Sequence, residues 1–167
     1  RRYRMLETIR TFGVELLSAS NEAARVREAF VQQMLQLADD VFDGMQSPNQ
    51  QTWLLRLDAE IDNTRAVLRY LLDTRDHHRA QQLARGLWLW WDTRGRHVEA
   101  TTWLTNALAG STEPSLIRFQ ALHALAMIGV TQGVNEGPKK LFEEAIAMAE
   151  EINNPLAKGR ALDSLSS

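Results

Sequence analysis

The chain has 167 residues, of which 44% are hydrophobic and 24% charged, and its formal net charge is −2. This balance is typical of one globular domain and is too apolar for a disordered segment. The absence of cysteine excludes disulfides, a thiol nucleophile and cysteine-ligated zinc, and the small net charge disfavours a general nucleic-acid binder. The longest apolar run, residues 87–91, is far shorter than the roughly 20 residues that span a bilayer, so no membrane partner is expected.

Helical periodicity dominates the apolar residues of the first half. A helix is predicted over residues 8–18, and a second over residues 21–46 with Asn21 as its cap, because apolar residues recur there every three or four positions. Residues 51–74 show the same spacing. A break is expected near residues 58–62, where three acidic residues crowd together.

From residue 75 onward the predicted helices form pairs, 80–93 with 98–108 and 114–131 with 138–152, and another helix begins at 156. A shift of 38 residues takes Gly95 to Gly133, and a shift of 40 takes Leu122 to Leu162. Helix pairs that recur at such intervals are typical of an α-solenoid, in which neighbouring pairs cover each other's apolar faces. The sequence therefore predicts an all-α fold of antiparallel helix pairs stacked as an α-solenoid.

No motif indicates catalysis. The triplet Asp76-His77-His78 resembles part of a metal site, but the other histidines, His97 and His123, fall in separate elements, so a helix start is favoured. We expect no catalytic residue, no metal ligand and no cofactor. A small helical metal-dependent enzyme is kept as an alternative that depends on this triplet alone.

Tryptophans cluster in the first predicted pair. Trp88 and Trp91 share one helix face, Trp103 lies on the helix that packs back against it, and all three are expected in the core. Trp90 points away from Trp88. It is expected either to meet the preceding helices or to be an exposed aromatic residue available to a partner.

Three stretches carry a family resemblance. They are Arg-Tyr-Arg-Met-Leu-Glu-Thr-Ile-Arg at 2–10, Trp-Leu-Leu-Arg-Leu-Asp-Ala-Glu-Ile-Asp-Asn-Thr-Arg-Ala-Val-Leu-Arg-Tyr at 53–70, and Leu-Ala-Arg-Gly-Leu-Trp-Leu-Trp-Trp-Asp-Thr-Arg-Gly at 83–95. Together they resemble bacterial signal-transducing ATPases with numerous domains (STAND), among them transcriptional regulators of the LuxR and antibiotic-regulatory types. In that family an ATPase module and a winged helix precede a tetratricopeptide-like region, so the resemblance implies a right-handed superhelix of antiparallel helix pairs. Two residues depart from the family pattern. Phe30 stands where the family often has histidine. Pro138 stands where the family has a small residue, and it suggests a helix that starts late.

The resemblance implies three regions: the end of a winged-helix unit or a connecting helix at 1–18, a helical adaptor at 19–74, and tetratricopeptide-like repeats at 75–167. The repeats would be 75–110, 114–152 and the start of another at 156–167. It also implies a cytoplasmic protein that binds a partner or senses an effector. The ATPase and DNA-binding parts would lie outside this segment, which would contact them within one protein but would not touch nucleic acid.

In such repeats the first helix of each pair lines the concave surface. The resemblance implies that this groove binds a peptide, a protein or a small effector, and a homo-oligomer through the exposed terminal helix is a further expectation. A purely structural spacer is the main alternative. The residues expected to line the groove are Arg85, Leu89, Asp92, His123, Met127 and Val130.

Overall fold

The computed structural model describes residues 22–45, 47–134 and 136–166, and in these ranges all regular structure is α-helical. The predicted helix at 8–18 and the predicted cap at Asn21 lie outside the described residues. The helices are α1 (Ala23–Gly44), α2 (Gln50–Asp73), α3 (His77–Thr93), α4 (His97–Ala109), α5 (Leu116–Thr131), α6 (Glu136–Glu151) and α7 (Pro155–Leu165). The predicted all-helical class is confirmed for these ranges.

The chain divides into two compact units, residues 1–33 and 34–167. The described part of the first unit is the beginning of α1, where Arg25 pairs with Glu22 and Gln32 donates a hydrogen bond to Glu28. The second unit holds the end of α1 and all of α2 to α7. Among the described residues, no helix has the length and apolar character needed to cross a bilayer.

Helix α2 is continuous, so the expected break near residues 58–62 is wrong. The acidic side chains there have different partners and do not compete for one space. Asp58 pairs with Arg94, the residue that follows α3, whereas Asp62 pairs with Arg65 on its own helix at 3.1 Å. Charges that point in different directions along a helix do not interrupt its backbone hydrogen bonds.

The predicted pairs of helices are present, but their starts differ from the sequence expectation by one to three residues. Asp76 caps α3, its carboxylate accepting a hydrogen bond from the Arg79 backbone N–H at 3.2 Å, so this helix starts at His77. Ser115 caps α5 in the same way, through the N–H of Arg118 at 3.1 Å. Side-chain caps of this kind satisfy N–H groups that the first turn leaves without a helical partner.

Helix α6 begins at Glu136, two residues before Pro138, which corrects the expected late start. A proline is tolerated in a first turn because its missing N–H would have no helical acceptor there. Pro138 is buried against α5 where that helix carries Gly129, and a Cβ at Gly129 would come within 2.7 Å of the Pro138 Cγ. A glycine on the neighbouring helix thus makes room for the larger residue.

Four of the turns between helices share one backbone geometry. Each contains a residue with positive φ: Arg75 (59°), Gly95 (65°), Gly133 (72°) and Asn153 (52°). In each turn the residue that follows donates its N–H to a carbonyl five residues back, as in the bond of 2.7 Å from Arg96 to Trp91. These are the bonds of a Schellman helix end. The glycines that the repeat placed 38 residues apart are therefore structurally equivalent.

The packing order is simple within the second unit. From α2 to α7 each helix contacts the next, and α3 also contacts α5, which in turn contacts α7. Helix α1 approaches α3 closely, since a Cβ at Gly86 would lie 2.5 Å from the Ala38 carbonyl oxygen. The largest fully buried side chains include Trp91, Phe119, Phe142, Leu57, Leu83, Leu87 and Leu104.

Candidate functional site

Helices α1, α3, α5 and α7 surround a cleft of about 290 Å³, which we name the aromatic cleft. Its volume is near the lower limit of typical small-ligand pockets, roughly 300 Å³. Most of its wall is apolar, with two neutral polar side chains and one cation. The lining residues are Phe42, Gly86, Trp88, Leu89, Phe119, Gln120, His123 and Arg160.

Two of the predicted groove residues, Leu89 and His123, meet in this cleft. They come from the first helices of two successive pairs, as the repeat phase required. Met127 and Val130 lie elsewhere, in a more open apolar groove of about 520 Å³ between α5, α6 and α7. Four of the six predicted residues are thus divided between two cavities.

Arg85 does not line either cavity, which corrects the expectation that it is the cation of the groove. Its side chain is buried at 8% exposure, pairs with Asp39 of α1, and places its guanidinium carbon 4.5 Å from the centre of the Phe42 ring. Asp39 also accepts a hydrogen bond of 2.8 Å from Gln82. Arg85 therefore connects α3 to α1, and its guanidinium packs against the Phe42 ring that lines the cleft.

Arg160 is the cation that lines the aromatic cleft. It lies on the exposed side of α7, and its guanidinium forms no hydrogen bond or ion pair with any residue in the described part of the chain. It also borders an adjoining depression that shares Phe119 and Gln120 with the cleft. Sequence reasoning missed Arg160, although the shift of 40 residues that relates Leu122 to Leu162 also takes Gln120 to Arg160.

His123 separates the two cavities. Its ring centre lies 6.1 Å from that of Phe119 and 5.6 Å from that of Phe142, and its Nε2 is 3.0 Å from the Ser164 hydroxyl. Burial, and to a lesser degree the charge of Arg160, lowers the pKa of His123 to about 4. The imidazole is therefore neutral at pH 7.

The proton of this imidazole can be assigned from the hydrogen-bond network. The Ser164 hydroxyl donates to the Arg160 carbonyl oxygen at 3.0 Å, so toward His123 it acts as the acceptor. The tautomer that completes this network carries its hydrogen on Nε2 and leaves Nδ1 of the neutral ring as an acceptor. His123 thus contributes an acceptor to its surroundings and no charge.

The remaining predicted residues have structural contacts. Asp92 lies 3.1 Å from the Nε2 of His97 at the end of α3, outside both cavities. Trp90 is 3% exposed and donates its indole N–H to Asp58 of α2 at 2.8 Å. It is therefore not an exposed aromatic residue; of the two positions that the sequence left open, contact with the preceding helix is the correct one.

The Asp76-His77-His78 triplet forms the start of α3. Asp76 uses one carboxylate oxygen to cap the helix and the other to bind the Arg79 side chain at 2.6 Å. In the described ranges, no three histidine, cysteine, aspartate or glutamate side chains are grouped so that they could hold a metal ion. The triplet's geometry is that of a capped helix.

Comparison with known proteins links the chain to transcriptional regulators. It is 30% identical over 173 aligned positions to each of three proteins with the name "Putative HTH-type transcriptional regulator". These are Rv0890c of Mycobacterium tuberculosis (strain ATCC 25618 / H37Rv), MT0914 of M. tuberculosis (strain CDC 1551 / Oshkosh) and Mb0914c of Mycobacterium bovis (strain ATCC BAA-935 / AF2122/97). The alignment covers 96% of this chain but 19% of each relative. The chain is a helical protein similar to one segment of these regulators.

No protein-family model matches the chain. No solved structure matches it either.

Proposed function

We propose that the chain is the effector- or partner-binding helical segment of a bacterial transcriptional regulator. The observation that carries this proposal is the aromatic cleft, in which Leu89 and His123 from successive helix pairs converge beside Arg160. The similarity to HTH-type regulators over 19% of their length supports a regulatory context. In this proposal the ATPase and DNA-binding parts belong to other segments of the regulator, which acts in the cytoplasm, and no chemical step is assigned to this chain.

The finer architecture is part of the same proposal. We infer a tetratricopeptide-like right-handed superhelix in which α3, α5 and α7 are the first helices of successive pairs. The direct contacts of α5 with both α3 and α7 support this arrangement, as do the equivalent turns at Gly95 and Gly133. In repeat proteins such inner helices form the binding surface.

Occupancy of the cleft would act on the rest of the regulator by shifting a conformational equilibrium. A ligand changes such an equilibrium only if it binds one state more tightly than the other. The aromatic cleft is built from four helices, so a ligand that contacts α1 and α7 together would favour one arrangement of those helices. Neighbouring ATPase and winged-helix parts, or a second copy of the protein, would respond to that arrangement.

The experiment fills the cleft with a larger side chain at a half-buried position. In the longer regulator, Leu89→Trp should abolish the transcriptional response to its signal, because the larger side chain occupies the ligand's volume. The matched control is Leu55→Trp on α2, where the leucine is 60% exposed and lines neither cavity. If the response survives Leu89→Trp, or is lost equally in both variants, the proposal is wrong.

A structural spacer is the second candidate, and one observation favours it. Arg85, the expected groove cation, is used to join α3 to α1 through Asp39. If the whole segment acts only as a spacer, the regulator should tolerate Leu89→Trp as well as it tolerates Leu55→Trp. The same pair of variants therefore decides between the two functions.

A further inference from the structure

The aromatic cleft contains one charge, and that charge is positive. Arg160 is its cation, and none of its described lining residues is acidic. Because the guanidinium has no partner in the described part of the chain, an anion in the cleft would not have to displace an existing ion pair. A carboxylate is the simplest anion that matches the planar donors of arginine.

The rest of the cleft wall favours a ligand with an aromatic ring. Phe42, Trp88 and Phe119 come from three different helices, and Leu89 completes the apolar surface. Aromatic side chains bind flat apolar groups by stacking or by edge-to-face contact. The cleft's volume, about 290 Å³, equals that of about ten water molecules at roughly 30 Å³ each, which is enough for one ring with a short side chain.

The two neutral polar residues of the cleft determine which hydrogen-bonding group its ligand should carry. In the tautomer assigned to His123, Nε2 bonds to Ser164 and Nδ1 is an acceptor. Gln120 can serve as donor or acceptor. A ligand with one hydroxyl or N–H group could therefore complete the hydrogen bonds of the cleft, whereas a second acidic group would find no cation there.

We propose that the aromatic cleft binds a small monocarboxylate that has one aromatic ring and a single hydrogen-bond donor. The carboxylate binds Arg160, the ring lies between Trp88, Phe42 and Phe119, and the donor is directed to His123 or Gln120. This inference rests on the proposed function, because it names the class of effector for that same cleft.

The test uses the 167-residue chain and three small probes. These are 4-hydroxyphenylacetate, its uncharged amide 4-hydroxyphenylacetamide, and phenylacetate, which lacks the donor. Binding is measured by calorimetry and by tryptophan fluorescence, to which Trp88 in the cleft contributes. We expect 4-hydroxyphenylacetate to bind about tenfold more tightly than its amide, the difference expected for one charge-assisted hydrogen bond. The affinity for phenylacetate should lie between the affinities for these two compounds.

Single substitutions then test whether the probe binds in the aromatic cleft. Arg160→Gln should reduce the affinity for 4-hydroxyphenylacetate to that for the amide. The affinity for the amide itself should not change. The matched control is Arg69→Gln, an exposed arginine on α2 that lines neither cavity and should have no effect. Equal affinity for acid and amide, or an Arg160→Gln variant that binds the acid normally, would overturn the inference.

Failure of this inference can be told apart from failure of the proposed function. If the chain binds none of the small acids at millimolar concentration, or binds only longer acidic peptides, the ligand class is wrong. The proposed function then still stands if Leu89→Trp abolishes the regulator's response and Leu55→Trp does not. If neither variant changes the response, the cleft is not an effector site at all.

Discussion

The indole N–H of Trp90 on α3 donates to the Asp58 carboxylate on α2 at 2.8 Å. The same carboxylate receives two hydrogen bonds from the Arg94 guanidinium. The hydrogen bond from Arg94, which outweighs the opposing effect of burial, lowers the pKa of Asp58, and the bond from Trp90 lowers it further. One carboxylate thus joins the middle of α2 to the end of α3.

We expect Asp58→Ala to destabilise the chain by about 1–3 kcal/mol, because it leaves the N–H of a buried tryptophan without an acceptor. Urea unfolding followed by tryptophan fluorescence measures the loss. Asp62→Ala is the control, since Asp62 is 93% exposed and pairs only along its own helix; its effect should stay within about 0.5 kcal/mol. Equal effects of the two substitutions would show that the bond to Trp90 contributes nothing.

A second prediction concerns the left-handed turns. Gly95 has φ of 65°, and a Cβ there would meet no atom within 4 Å, so Gly95→Ala tests backbone strain alone. It should lower stability by about 1 kcal/mol. Gly159, inside α7, also has open space around it, and Gly159→Ala should raise stability by about 0.5–1 kcal/mol. Thermal unfolding should therefore shift in opposite directions for two chemically identical substitutions.

A third prediction concerns the crossing of α1 and α3. An alanine at position 86 would place its Cβ 2.5 Å from the Ala38 carbonyl oxygen. Because this neighbour is backbone, it cannot move aside as a side chain would, and Gly86→Ala should cost about 1–3 kcal/mol. Adding Ala38→Gly should not restore stability, since the oxygen remains. Restoration by the double substitution would mean that the Ala38 side chain alone causes the clash.

A fourth prediction uses His123. Its pKa in the folded chain, about 4, lies below the ordinary value of 6.5, so the unfolded chain takes up the proton first as the pH falls. The stability gained by keeping this ring neutral is complete above pH 6.5 and is lost progressively toward pH 4.

The measurement compares the wild type with His123→Gln between pH 7 and pH 5. The wild type should lose about 1–2 kcal/mol more than the variant over this interval, because the carboxylates and other groups that titrate there are common to both. Parallel pH profiles for the two proteins would contradict the assignment of a neutral, buried His123.

Much of the helical order could be predicted from sequence because its signals are local. Gly95 and Gly133 end helices with positive φ, and the apolar spacing gave the pairs 80–93 with 98–108 and 114–131 with 138–152. The helix starts were less accurate. Capping by Asp76 and Ser115 depends on the orientation of one side chain, and hydrophobic periodicity carries no information about it.

The candidate site was predicted only in part, because its charges depend on partners far apart in the chain. Arg85 was assigned to the groove, but its partner Asp39 lies 46 residues earlier, outside the repeats. Arg160 enters the cleft only because α7 packs beside α5. Leu89 and His123, which the repeat phase placed on one surface, both line the cleft, since apolar and half-buried positions follow the stacking of successive helices.

The order of contacts from α2 to α7 also has a kinetic consequence. Within the described chain, each of these helices contacts only its next one or two neighbours, so the interactions between them are short-range in sequence. Chains with such short-range contacts fold quickly and can open in parts. Amide hydrogens of α7, which contacts only α5 and α6 among these helices, should therefore exchange with solvent faster than those of α3. The wall of the aromatic cleft that carries Arg160 therefore lies on a helix with fewer packing neighbours than α3.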